Sequence, residues 1–100
     1  MSTRGLVISE LAEGTTAVST VPCGLVSIIL VGDGTNLGTI KLYDVAAVGD
    51  IATVVKALAV KTDGSAVYCP CKPDAFSVGI VAVVANTSGV STAYISIEPV

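Results

Sequence analysis

Three cysteines are the residues of this chain whose types could most directly carry chemistry. Cys69 and Cys71 flank Pro70, whereas Cys23 lies far away in the sequence. Closely spaced thiolates bind zinc or iron–sulfur clusters, but structural zinc sites usually take four ligands with spacers of two to four residues. The chain has no histidine and a spacer of a single residue. We therefore predict no metal site and no cofactor.

The state of the three thiols has three alternatives. They could hold a metal, Cys23 could form a disulfide with one of the pair, or all three could be free and largely buried. Free thiols agree best with the usual burial of unpaired cysteine and with a cytosolic setting. The odd count excludes a fully paired set within one chain.

A glycine-rich run over 32–38, Gly-Asp-Gly-Thr-Asn-Leu-Gly, follows an apolar stretch. A phosphate-binding loop needs a helix N-terminus after it, and a P-loop also needs Lys followed by Ser or Thr. Here the next residues alternate as in a strand, so we interpret the run as a hairpin loop. Calcium binding by Asp33 and Asn36 is the alternative, but their spacing misses the calcium-loop pattern.

The chain has few residues suited to acid–base or nucleophilic catalysis. Without histidine, serine and cysteine lack their usual base. The carboxylates fall mostly in or beside predicted turns, so a role as solvent-exposed turn residues accounts for them better than a catalytic acid–base pair. They are Glu10, Glu13, Asp33, Asp44, Asp50, Asp63, Asp74 and Glu98. We expect a protein that is not an enzyme.

Short β-branched segments separated by Gly, Asp, Asn and Pro predict the elements that position these residues. We expect about eight strands, at 5–10, 16–21, 25–31, 39–44, 53–60, 66–69, 78–85 and 90–97. Short strands at regular spacing indicate an all-β β-sandwich, jelly roll or small barrel. Residues 45–60 also fit a helical pattern, but their β-branched residues and Gly49 favour a strand after a short turn.

Side-chain alternation predicts which strand faces are buried. In 39–44, Ile40 and Leu42 share one face and leave the other polar. In 25–31 and 78–85 both faces are apolar. A two-layer sandwich buries only one face of each strand, so the second face of these two strands needs a loop, an N-terminal arm or a neighbouring subunit as cover.

Length and composition support association with other proteins. The chain has 100 residues, 52% of them apolar and only 13% charged, with a formal net charge of −3. Soluble domains carry about 25% charged residues, so this composition disfavours an isolated monomer in solution. The few basic residues never cluster, which argues against nucleic acid and anionic lipid as partners.

Two further patterns bear on the cellular setting. The uncharged stretch 75–97 is interrupted by Asn-Thr-Ser-Gly at 86–89, so we do not expect a membrane helix. The first residues lack the apolar core and cleavage site of a secretory signal. We expect synthesis in a cytosol.

Segment 25–31, the glycine-rich loop and 38–44 together resemble the small β-sandwich virion proteins of tailed bacteriophages. Segment 78–83 with the final strand 90–97 is similar to them as well. The resemblance lies in the rhythm of strands and loops and transfers no site residue. It implies a capsid decoration or cement subunit, or a tail or fibre accessory module, that forms symmetric oligomers and needs no cofactor.

These observations lead to one overall prediction. Residues 1–100 form a single β-sandwich or jelly-roll domain with an N-terminal arm over 1–14. The protein decorates and stabilises a phage head, assembles in the host cytoplasm, binds the major capsid protein or another virion protein, and forms a homo-oligomer, with a trimer as the working guess. A tail or fibre receptor-binding module is the alternative. The candidate assembly interface is Leu6, Ile8, Leu25, Ile29, Val31, Val81 and Val83.

Overall fold

The computed structural model describes residues 6–60, 64–87 and 89–99. In these residues the chain forms nine β-strands and one 3-10 turn at Val48–Asp50. The strands are β1 (Val7–Leu11), β2 (Gly14–Ser19), β3 (Cys23–Val31), β4 (Gly38–Tyr43), β5 (Lys56–Val60), β6 (Ser65–Tyr68), β7 (Asp74–Phe76), β8 (Ile80–Asn86) and β9 (Thr92–Pro99). The all-β prediction is confirmed, and each predicted strand overlaps an observed one.

Two local differences have simple causes. The sequence did not predict β7, because its three residues follow Pro73 and show no alternation. The strand expected over 53–60 begins only at Lys56. Before β5, the chain forms the 3-10 turn. Its first hydrogen bond to β4 follows at Val55, whose amide donates to the Leu42 carbonyl at 2.8 Å. The helical alternative for 45–60 is wrong.

The strands form two antiparallel sheets. Sheet A has the order β1-β9-β3-β6, with β7 pairing β3 beyond the end of β6, and sheet B has the order β2-β8-β4-β5. Since β6 and β7 pair successive parts of β3, they act as one interrupted strand. The pairs β1–β9, β2–β8, β3–β6/β7 and β4–β5 are then nested, as in a chain that folds back on itself and rolls up. This is the jelly-roll form of the β-sandwich.

The core lies between the inner faces of the two sheets. Sheet A contributes alternate residues of its central strands, and sheet B does the same. The buried hydrophobic residues of this core include Leu25, Ile28, Leu30, Ile40, Leu42, Phe76, Ile80, Val84, Ala93, Ile95 and Ile97. The predicted alternation in β4 is confirmed, because Ile40 and Leu42 are buried while Lys41 is exposed.

A β-bulge corrects the predicted faces of β3. Leu25 pairs with Ile97 of β9, but Ser27 pairs with the very next β9 residue, Ser96, so Val26 is an extra residue. A bulge of this kind reverses which face the following side chains occupy. Leu25 is therefore fully buried in the core, and its prediction as an interface residue is wrong.

The N-terminal segment is part of the sandwich over the residues that can be described. Residues 7–11 form the edge strand β1, paired along its length with β9, and β2 begins at Gly14. Most of the predicted arm over 1–14 is thus part of the sandwich, with 7–11 in β1, 12–13 in the connection to β2 and residue 14 at the start of β2. Residues 1–5 lie outside the described part of the chain. Within the described ranges, no helix is long and apolar enough to cross a membrane.

Candidate assembly surface

The outer face of sheet A carries a group of exposed apolar side chains. Cross-strand pairing places Tyr94, Ile29 and Val67 side by side across β9, β3 and β6, with Glu10 of β1 at the end of this row. Val31 and Ile8 lie in the rows on either side of it, on β3 and β1. We call Ile8, Ile29, Val31, Val67 and Tyr94 the sheet A apolar face. Its members are exposed by 37% to 67%, with Ile8 at 67% and Val67 at 60%.

The surroundings of the sheet A apolar face are polar and acidic. Pairing puts Glu10 and Glu98 on the same outward side of β1 and β9. The Tyr94 hydroxyl donates to Glu10 Oε2 at 3.3 Å, which holds the ring across the neighbouring strand. The remaining outward positions paired in β3, β6 and β9 include serine and threonine. A partner that fits this face is therefore apolar at its centre and neutral or basic at its rim.

The structure brings together only some of the predicted interface residues. Ile8, Ile29 and Val31 belong to the sheet A apolar face, and Leu6 is exposed just before β1. Val83 is half-buried on the outer side of sheet B, away from them. The predicted set omitted two members of the face, Val67 and Tyr94. The alternation of β9, with Ala93, Ile95 and Ile97 buried, is the signal that could have placed Tyr94 outward.

Val81 is a second correction to the predicted interface. It is fully buried, although its neighbours in β8 that face the core are Ile80 and Ala82. The 3-10 turn contacts β2, the strand beside β8. The chain after β4 also passes close to Gly79, where an added Cβ would lie 2.9 Å from the Val45 carbonyl oxygen. A loop of the same chain therefore covers this side of sheet B.

The outer side of sheet B differs from that of sheet A. Its outward positions hold mainly small residues, among them Ala57, Ala59 and Ala85, together with Lys41. Leu37, Thr39 and Ala85 contribute to a shallow open depression there. Small side chains offer little apolar area for burial, and the larger exposed apolar residues on this side, Val48, Ile51, Val54 and Val55, belong to the covering loop. Sheet A presents the stronger candidate for assembly because its exposed apolar side chains lie side by side on paired strands.

Asp44 fastens the covering loop to the connection between the sheets. Its carboxylate accepts hydrogen bonds from the Ser77 amide and hydroxyl at 3.1 Å each, from the Val78 amide at 2.9 Å and from the Gly79 amide at 3.3 Å. Partial burial raises the pKa of Asp44, but these hydrogen bonds outweigh it and leave the pKa below its usual value. This carboxylate organises the β7–β8 crossover.

Asp33 organises the glycine-rich loop in a similar way. Its Oδ1 accepts the Thr35 and Asn36 amides at 2.8 Å each, and its Oδ2 accepts Asn36 Nδ2 at 2.9 Å. These hydrogen bonds, that from the Asn36 side chain foremost, lower the pKa of Asp33 to about 2. The loop joins β3 of sheet A to β4 of sheet B. It is therefore a crossing between sheets, and its interpretation as a hairpin loop is wrong.

A third polar group bridges the two sheets at the β5 and β6 side. Lys56 Nζ lies 4.3 Å from the ring centre of Tyr68 and 3.8 Å from Asp74 Oδ2. The Tyr68 hydroxyl donates to the same Asp74 oxygen. The Tyr68 hydroxyl and, less strongly, the Asp74 charge raise the pKa of Lys56. The three side chains satisfy one another, which is typical of a structural contact between strand edges.

The cysteines divide into one buried and two exposed thiols. All three are free, and the expectation of buried thiols is right for Cys23 and wrong for Cys69 and Cys71. Burial raises the pKa of the Cys23 thiol, which makes it a poor nucleophile. Among the described residues, no group of three or more His, Cys, Asp or Glu side chains is placed to hold a metal ion.

Comparison with known proteins leaves the geometry as the guide to function. The chain matches no family model, no curated protein and no solved structure.

Proposed function

We propose that this chain is a non-enzymatic structural protein of a tailed-phage virion, a decoration subunit that binds the major capsid protein and braces the head. It docks through the sheet A apolar face, acts on the capsid surface after assembly in the host cytoplasm, and works as a homo-oligomer without a cofactor.

The observation that carries this proposal is the sheet A apolar face itself. Ile29, Val67 and Tyr94 lie directly beside one another on three strands, exposed rather than folded into the core. Contiguous apolar patches on a protein surface mark sites of association. Burial of apolar surface contributes about 25 cal/mol per Å², so covering such a row stabilises a complex even where each contact is small.

The fold and the low charge of the chain agree with this role. Jelly rolls occur in viral capsid domains, although the same fold also serves lectins and enzymes and does not by itself assign a function. Only 13% of the residues are charged. A subunit repeated over a symmetric shell gains avidity from many identical weak contacts.

Binding to empty heads of the phage that encodes the chain tests the proposal. We expect the wild-type chain to co-sediment with the heads and to raise their melting temperature. The variant Val67→Lys places a charge in the sheet A apolar face and should weaken binding at least tenfold. Ala59→Lys introduces the same side chain at an exposed position of an edge strand in sheet B, so it is the matched control and should bind as the wild type does.

Three results would contradict the proposal. The wild-type chain could fail to bind heads, Val67→Lys could bind as well as the wild type, or both lysine variants could lose binding equally. Binding to purified tails or fibres but not to heads would replace decoration by the tail or fibre module.

A further inference from the structure

We propose that β1 is a self-pairing edge, through which two copies of the chain join antiparallel across a two-fold axis and continue sheet A from one subunit into the next. This contact deepens the homo-oligomer of the proposed function by naming its partner, a second copy, and its location. It uses the strand edge, whereas head binding uses the outer face.

The four described sheet edges differ in how well they are protected against such pairing. Strand β2 contains a bulge between Ala17 and Ser19, and the 3-10 turn lies against it. Strand β5 begins with Lys56. The edge formed by β6 and β7 is interrupted by a segment that holds Pro70 and Pro73. Bulges, charged side chains (lysine above all), prolines and covering segments are the devices that block edge-to-edge association.

Strand β1 is the least protected of the four edges over its described residues. It pairs with β9 in unbroken register for five residues and contains no proline, lysine or bulge, and its one charged side chain is Glu10. Its start is apolar and open to solvent, with Leu6 exposed by 53%, Val7 by 45% and Ile8 by 67%. An unprotected edge of this kind presents unpaired backbone groups together with apolar side chains that a partner strand would cover.

The strand is complementary to itself when the two-fold axis passes through Ser9, the middle residue of β1. Val7 then lies opposite Leu11 of the second copy, and Ile8 lies opposite its Glu10. Like charges directly opposite each other would destabilise the pair, and this register places none there. All five residues of the strand find a partner, which is the longest pairing that a two-fold arrangement of β1 allows.

This pairing has a consequence for the assembly surface. Ile8 lies on the edge strand, so the two-fold contact puts it in line with the Glu10, Tyr94, Ile29 and Val67 row of the second copy. A dimer would then present two copies of the sheet A apolar face on the same side of one extended sheet, with the Glu10 side chains between them. A two-fold contact also produces a dimer in place of the trimer expected from the sequence.

Disulfide cross-linking tests the proposed axis. In a Cys69→Ser, Cys71→Ser background, Ser9→Cys places two thiols opposite each other, at the Cα separation of about 4.5 to 5.5 Å of antiparallel pairs, which disulfides accept. We expect mild oxidation to convert most of this variant into covalent dimer. Thr16→Cys, in the middle of the protected edge strand β2, is the control and should stay monomeric on the gel. Equal cross-linking of the two variants, or none from Ser9→Cys, would overturn the proposal.

A charge pair at one position tests the register. Ile8→Glu puts a carboxylate opposite Glu10 of the second copy, whereas Ile8→Lys puts an ammonium group there, and both remove the same apolar side chain. We expect the dimer dissociation constant from analytical ultracentrifugation to be at least tenfold higher for Ile8→Glu than for Ile8→Lys. Equal dissociation constants for the two variants would contradict β1 pairing. So would a wild-type chain that is still monomeric at a protein concentration of about 100 µM, or one that forms a trimer.

The same variants separate this inference from the proposed function. Val67→Lys lies on β6, at the opposite side of sheet A from β1, so it should lose head binding while keeping the dimer. If dimers form as expected but neither the wild-type chain nor any variant binds heads, the decoration role fails and β1 pairing stands. If the wild type binds heads as a monomer, β1 pairing and the homo-oligomer both fail, and only head decoration stands.

Discussion

Replacing Asp44 by asparagine should destabilise the fold through a single crossover. The carboxylate accepts three backbone amides and one hydroxyl, from Ser77, Val78 and Gly79. An asparagine in its place keeps the shape but offers one acceptor oxygen, and its NH₂ group then faces amide donors. The β7–β8 connection would lose the contact that holds it to the end of β4.

The size of the effect follows from the hydrogen bonds. A hydrogen bond to a charged group contributes about 1.5 kcal/mol or more when it is sheltered from water. Asp44 is only half-buried, and competition from solvent reduces the sum of its contacts to about 2 kcal/mol. For a chain of this length that corresponds to about 10 °C in melting temperature. At an m-value of about 2 kcal/mol/M it corresponds to about 1 M in the urea midpoint.

The effect should depend on pH in a direction set by the pKa of Asp44. Its pKa is lowered in the folded state, so its contribution is fully present above the unfolded value of about 3.9 and is lost as the pH falls through the folded value. Urea titrations at pH 7 and pH 3 should therefore show a difference between Asp44→Asn and the wild type that shrinks in acid. Asp50→Asn, at an exposed carboxylate in the 3-10 turn, is the control. A difference that is absent at pH 7, or equal at both pH values, would refute this account of Asp44.

Three further expectations concern packing and thiol access. Gly79→Ala should destabilise the fold by about 1 to 3 kcal/mol in urea titrations, because an added Cβ would meet backbone oxygens at 2.4 and 2.9 Å; wild-type stability would contradict the close approach. Leu25→Ala should cost about 2 to 5 kcal/mol, since this residue is fully buried, whereas an interface position would change little. In the native protein a thiol reagent should modify Cys69 and Cys71 but leave Cys23 unmodified until urea unfolds the chain; rapid labelling of all three would contradict the buried position of Cys23.

Local patterns predict most of the sandwich because apolar and polar residues alternate within most strands, and this alternation shows which side chains face the core. The buried Ile40 and Leu42 of β4, with Lys41 exposed between them, follow directly from a period of two. The same rule fails in β3, where the extra residue at Val26 reverses the faces and sends Leu25 into the core. Nothing in the local sequence marks that bulge, because its position depends on pairing with β9.

The candidate surface was predictable only in part for a related reason. Ile29 and Val31 lie on a strand that is apolar on both sides, so an uncovered apolar face was expected. Val81 lies on a strand with the same pattern, yet a loop of the same chain covers it. Which of two apolar faces receives an internal cover depends on how distant loops cross the sandwich. That information appears only with the tertiary structure.

The position of the chain in a reconstruction of the virion that encodes it tests the central claim most directly. We predict density for the jelly roll on the outside of the head, with Ile29, Val67 and Tyr94 turned towards the major capsid protein and buried against it. Density on the head with these three side chains facing solvent would contradict the assigned surface. Density confined to the tail or fibres, or absent from the particle, would contradict the decoration role.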